Sequence, residues 1–163
     1  MNWDAMAAIA EIVASFGVIV SLIYLATQIR YQRSESLLSA GHELASQISE
    51  LFSVLSDNAE FADIYLRGMT EYNSLDRVER LRFSGFFSRL MRIFDSMFSR
   101  HRQNALDPTL WPSYEESMRD FFSHAGLRDW WVSRSHWFTP ELRELVSEWI
   151  AEERNSTMYD QNH

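Results

Sequence analysis

Residues 7–33 read AAIAEIVASFGVIVSLIYLATQIRYQR, an apolar stretch that holds one carboxylate, Glu11, and closes on two arginines, Arg30 and Arg33. Between Ala5 and Ile29, Glu11 is the only formally charged residue. At about 1.5 Å of rise per residue, a helix over that run is roughly 37 Å long, enough to cross a hydrocarbon core with some tilt. A helix that is apolar all round needs lipid or a large protein interior about it. A chain of 163 residues makes only one ordinary domain. The run therefore predicts a transmembrane helix, and with it the fold class: all-α, a single N-terminal transmembrane helix continuing into a cytoplasmic helical bundle. The competing reading is a buried helix of a soluble bundle. A cleavable signal peptide fits badly, because the cations follow the apolar run instead of preceding it.

Charge asymmetry sets the expected orientation. Arg30 and Arg33 lie just past the run, whereas residues 1–4 hold no lysine or arginine, so the bulk of the chain is expected in the cytoplasm, beneath a bacterial inner membrane, with the N-terminus outside. Trp3 and Tyr31 stand near the two ends, where amphipathic rings favour the interfaces. The expected organisation is residues 1–33 as membrane helix and flanks, 34–155 as cytoplasmic bundle, and 156–163 as a fraying tail.

At about 100° per residue, Asp4, Ala7, Glu11, Ala14, Ser15 and Val18 fall on one stripe, flanked by Ala10, Gly17, Ser21 and Gln28. Ile9, Ile12, Val13, Ile23 and Ala26 take the opposite side. Small and hydroxylic residues let helices approach closely in lipid and bond across the seam. Ala7, Glu11, Ala14, Ser15, Val18 and Ser21 are thus the candidate oligomer or ion-path residues. A single span has no second membrane helix of its own, so the expected partner is another copy or another membrane protein. An acid within the span is costly unless paired or protonated. Glu11 fits three roles: lining a path in a ring of copies, shuttling protons, or bonding between helices while protonated. The alternative is that it lies near enough to the outer interface to reach head groups.

Beyond Arg33, Leu37, Leu38, Leu44, Ile48, Leu51, Phe52 and Leu55 keep helical spacing to Asp57-Asn58. A short helix through Phe61, Ile64, Tyr65 and Leu66 is expected to stop at Gly68. Asp76 followed by Glu79 is a capping-box signature for a long helix to about Ala105, with Phe83, Phe87, Leu90, Phe94, Met97 and Phe98 on one face. Its opposite face carries Arg82, Arg89 and Arg100, expected to pair with acids. Ser113 with Glu116 reads as the start of a fourth helix ending at Gly126. LRDWWVSRSHWF then forms a short amphipathic helix, and Thr139-Pro140 opens the last one.

Composition removes several classes of function. With no cysteine, thiolate metal sites and cysteine nucleophiles are impossible. A net charge of -8 argues against nucleic acid, where affinity comes from neutralising phosphates. All 15 cations are arginine, a residue suited to bidentate contacts though equally a product of base composition. The histidines, at 42, 101, 124, 136 and 163, lack metal-binding spacing, and no nucleophile elbow, phosphate loop or dinucleotide fingerprint occurs. Arg92 and Asp95, three apart, are expected to form a structural ion pair. No catalytic residue, metal ligand or cofactor is expected.

The stretches NWDAMAAIAEIVASFGVIVSLIYLATQIR, ADIYLRGM, LDRVERLRFSGFFSRLMRIFD and GLRDWWVSRSHWFTPELRELV resemble a family of uncharacterised bacterial membrane proteins. SLIYLATQIR and the double tryptophan carry most of the likeness. The resemblance implies one N-terminal membrane helix with a helical cytoplasmic domain, and no activity or catalytic residues. Relatives commonly show glutamate where Asp95 stands and glycines where Ala8 and Ala14 stand, substitutions that keep the chemical class. The expected function is a membrane-anchored, non-enzymatic oligomeric or accessory subunit that assembles through its membrane helix and first cytoplasmic helix. An ion- or proton-conducting ring with Glu11 along the path is the alternative. A weaker one is an enzyme acting on a membrane-associated substrate in a cleft near Arg92, Asp95 and His101.

Overall fold

The computed structural model describes residues 3–152, leaving aside the side chains of residues 4–10, 12–14 and 34. Its helices are α1 (Trp3–Asp57), α2 (Ala59–Thr70), α3 (Arg77–Arg102), α4 (Trp111–Phe122), α5 (Ala125–Arg134) and α6 (Pro140–Ala151). Single 3₁₀ turns at Tyr72–Ser74 and Ser135–Trp137 follow α2 and α5. Among the described residues there is no strand, so the protein is all-α. The tail 156–163 lies outside the described residues.

The chain divides into two compact units, Met1–Ser39 and Ala40–His163. The first is α1 up to Ser39, and none of its described side chains is buried. Phe16, Val18, Ile19, Val20, Leu22, Ile23, Leu25 and Ile29 all stand exposed. Three hydroxyls here turn back onto their own helix: Ser15 donates to the Glu11 carbonyl (2.8 Å), Ser21 to Gly17 (2.8 Å) and Thr27 to Tyr24 (2.7 Å). Among the described residues no helix is long and apolar enough to cross a membrane. The side chains of residues 4–10 and 12–14, which open the predicted span, fall outside that description.

The second unit is a bundle with an aromatic interior. Leu44 and Leu51 of α1, Ile64 and Tyr65 of α2, Phe83, Phe87, Leu90 and Phe94 of α3, Phe122 of α4, Trp130 of α5 and Val146 of α6 share one core. Burying each such large apolar side chain contributes about 1.5–3 kcal/mol, so this shared core is a main source of the bundle's stability. The Phe83 and Phe87 centroids lie 4.5 Å apart, and Trp130 meets Phe87 at 6.0 Å.

Local chemistry fixes where the helices start and stop. Asp76 accepts from the backbone N–H groups of Val78 and Glu79 while the Glu79 carboxylate accepts from the Asp76 N–H, completing the expected capping box. Arg67 pairs with Glu79 and with Asp63, and the hydrogen bond from Arg67 first, then the one from the Asp76 N–H, hold the Glu79 carboxyl below its usual range. α3 ends three residues before Ala105. Asn104 takes a left-handed conformation (φ 53°), Ala105 donates to the Arg100 carbonyl (2.8 Å) and Asn104 to His101 (3.0 Å). That double bond is a Schellman stop, with asparagine in the place glycine usually fills. Arg82 and Arg89 pair with Glu60 and Glu50, as expected for the polar face.

Three expectations about helix ends need correction. α2 runs past Gly68 to Thr70, and α5 opens at Ala125, so Gly126 lies in its first turn instead of ending α4. Neither glycine has a positive φ. Both are required by proximity: a Cβ on Gly126 would collide with the Gly68 carbonyl oxygen, and one on Gly68 with the Phe83 ring. Hydrogen in place of a side chain is what lets α2 and α5 approach so closely. Finally, α4 begins at Trp111 with Pro112 in its first turn, so Ser113 lies inside the helix and caps nothing.

Candidate functional site

On the predicted contact stripe, Glu11, Ser15, Val18 and Ser21 are exposed, while the side chains of Ala7 and Ala14 lie outside the described residues. The hydroxyls of Ser15 and Ser21 are occupied within the helix. That back-bonding satisfies a hydroxyl without water, as an apolar environment requires, but leaves each one only its acceptor capacity for a neighbouring helix. The stripe therefore offers close approach and the Glu11 carboxyl more than a row of free donors.

The Arg92–Asp95 ion pair does not form. Arg92 is exposed and makes no salt bridge among the described residues, while Asp95 accepts a hydrogen bond from the Thr139 hydroxyl at 2.7 Å. Spacing of three made the pair look natural, but Thr139 is the N-cap residue of α6, and its hydroxyl ties α6 to α3 through Asp95. A shallow recess of about 380 Å³ beside Asp95 is edged by Arg102 and Glu141, which face each other at 3.5 Å. His101 does not line it; its ring stacks on Trp111 with centroids 4.7 Å apart. Among the described residues no cluster of histidine and carboxylate side chains is arranged to hold a metal ion.

A larger feature comes from residues not singled out in the sequence. The Tyr72–Ser74 turn, the first three turns of α3 and the C-terminal end of α5 enclose an open cleft of about 950 Å³. Its lining contains three arginines, Arg77, Arg80 and Arg134, and no carboxylate. Its floor is the buried Ser84 Oγ, which accepts from Trp130 Nε1 at 3.1 Å and shares a 3.2 Å hydrogen bond with the Tyr72 hydroxyl. Leu81 and Trp137, both exposed, supply apolar walls.

None of the three arginines has an acidic partner among the described residues. Arg80 donates from Nε to the Leu75 carbonyl (2.6 Å). Arg134 donates from Nη1 to the Ser133 carbonyl (3.3 Å) and lies over the Trp137 ring at 4.9 Å. Its Nε is buried with no hydrogen-bond partner, which costs about 1–3 kcal/mol for an ordinary group. The acids closest in sequence are engaged elsewhere: Asp76 with the α3 amides, Glu79 with Arg67, and Asp129 with the Asn73 amide.

Compared with known protein families, with curated proteins and with solved structures, the chain matches none.

Proposed function

We propose that this protein is a membrane-anchored accessory subunit: its N-terminal helix lies in lipid against like helices or another membrane protein, and its aromatic bundle is displayed in the cytoplasm. The observation that carries the reading is the run from Ala5 to Ile29 with one formal charge. In its described part the large apolar side chains stand exposed around the whole helix. Burying a single valine, leucine, isoleucine or phenylalanine contributes about 1.5–3 kcal/mol, so the eight such side chains from Phe16 to Ile29 left in water would be a heavy cost that lipid removes. Arg30 and Arg33, just past the run, support a cytoplasmic side for the bundle.

Fractionation of cells expressing the full chain tests this. The protein is expected in carbonate-washed membranes, and Ile19→Arg with Leu22→Arg is expected to shift it to the aqueous fraction. Recovery of the unsubstituted chain as an aqueous monomer would overturn the reading. The mass of the detergent-solubilised particle tests assembly, which Ala14→Leu on the contact stripe is expected to weaken. Glu11 lends itself to a second reading, an ion path through a ring of copies. A conductance in reconstituted bilayers that Glu11→Gln abolishes would favour it.

A further inference from the structure

We infer that the arginine cleft at the start of α3 binds a phosphate-bearing small molecule with an apolar portion. The chain carries a net charge of -8, yet this cleft gathers Arg77, Arg80 and Arg134 without a carboxylate in its lining. Arg77 and Arg80 sit in the opening turns of α3, the end of a helix whose dipole disfavours cations. Cations concentrated where neither a partner acid among the described residues nor the backbone field supports them are the kind that a bound anion stabilises.

The geometry is that of a prepared receptor. Two of the guanidinium groups are already oriented, Arg80 by the Leu75 carbonyl and Arg134 by the Ser133 carbonyl and the Trp137 ring. Less rotamer freedom then remains to be lost on binding. Planar, forked donors match phosphate oxygens in pairs. Leu81, Val78 and the half-exposed Trp137 ring provide apolar contact beside the charge. The 950 Å³ volume is that of a small-molecule site, roughly 300–1,000 Å³, so the ligand is a phosphate ester bearing an apolar group. That chemistry belongs both to soluble phosphate esters and to an anionic phospholipid head group. The inference stands apart from membrane anchoring, because it rests on the bundle alone.

The test is a titration of the full chain in neutral detergent with phenyl phosphate, inorganic phosphate, and micelles doped with either phosphatidic acid or phosphatidylcholine. Saturable binding is expected for phenyl phosphate, for phosphatidic acid or for both, tighter than for inorganic phosphate. It should weaken about tenfold or more in Arg77→Gln and in Arg134→Gln. Arg143→Gln, an exposed arginine of α6 outside the cleft, is expected to bind as the unsubstituted chain does. Arg77 is also exposed, so its variant keeps the fold, as circular dichroism will show. Binding of phosphatidic acid alone assigns the ligand to lipid, and binding of phenyl phosphate alone assigns it to a soluble ester. No saturable binding of either, equal binding of phosphatidylcholine, or binding indifferent to both cleft substitutions would overturn the inference.

Discussion

Phe16 and Phe87 are the same side chain on two helices of one chain, yet Phe16 is 69% exposed and Phe87 is 0% exposed. On α3 the apolar residues recur at helical spacing, with Arg82 and Arg89 turned to acids on the other side. A face defined in that way finds its complement within the chain, and the bundle closes over it. On α1 before Ser39 the described large apolar residues are spread around the helix and stand exposed. What the two regions teach is that the angular spread of apolar residues, more than their number, separates a helix that folds a domain from one that needs a partner or a different solvent.

The largest effect that tests the contrast is Phe87→Ala. It removes a ring touching Phe83, Phe86, Tyr65 and Trp130 and is expected to cost about 4 kcal/mol of bundle stability by chemical denaturation. Phe16→Ala is expected to leave the same unfolding transition within about 0.5 kcal/mol. Comparable losses would mean that both helices belong to one packed core.

The glycines give a second, smaller test. Gly126→Ala places a methyl group against the Gly68 carbonyl and is expected to cost about 3 kcal/mol, the upper range for overpacking. Gly17 has open space around its Cβ direction, so Gly17→Ala is expected to be neutral or to stabilise the helix by up to about 1 kcal/mol. Thermal unfolding of the two variants side by side decides this.

Those glycines also mark where sequence reasoning stops. The capping box at Asp76 and Glu79 and the aromatic face of α3 were legible because each depends on residues within one helix, whose spacing is local. Gly68 and Gly126 looked like helix stops, since a glycine that ends a helix and one that admits a neighbouring helix leave the same letter. Only the crossing of α2 and α5 separates the two. Arg92 and Asp95 were paired by spacing, and Thr139, distant in sequence, took the carboxylate instead. The arginine cleft was illegible for the same reason. Arg77 and Arg80 are three apart, but Arg134 arrives from another helix, and the cleft exists only after α5 is seated. The one local hint was a pair of cations at a helix start, where acids are favoured.

A smaller effect separates capping from packing within the bundle. Asp76→Ala removes the acceptor for two α3 amides and is expected to cost about 1 kcal/mol. Glu79→Gln gives up the ion pair with Arg67 but keeps an amide oxygen that can accept from the Asp76 N–H, and is expected to cost less than the cap. If Glu79→Gln costs more, the ion pair and not the cap organises the start of α3.

The smallest effect is a pH dependence that belongs to the bundle and not to the first unit. His124 is the N-cap residue of α5. Burial first, and then the nearby Arg128 charge, push its imidazole below the ordinary value of 6.5, with Asp120 partly opposing. A cation at the start of α5 would also face the helix dipole. The folded chain thus binds this proton more weakly than the unfolded chain does, so the unfolded state gains protons first as pH falls. Stability from this group is complete above 6.5 and declines as pH drops through that value toward the folded pKa. Glu79 also sits below its ordinary 4.5, but a depressed carboxylate begins to lose its contribution only as pH falls through that value, so the His124 window opens at the higher pH. Denaturation midpoints at pH 7.5 and about 5.5 are therefore expected to fall modestly for the unsubstituted chain and to converge in His124→Gln. A slope that survives this substitution would place the titrating group elsewhere, and the half-buried imidazole at the α5 start would then be a packing element whose charge state does not matter to the fold.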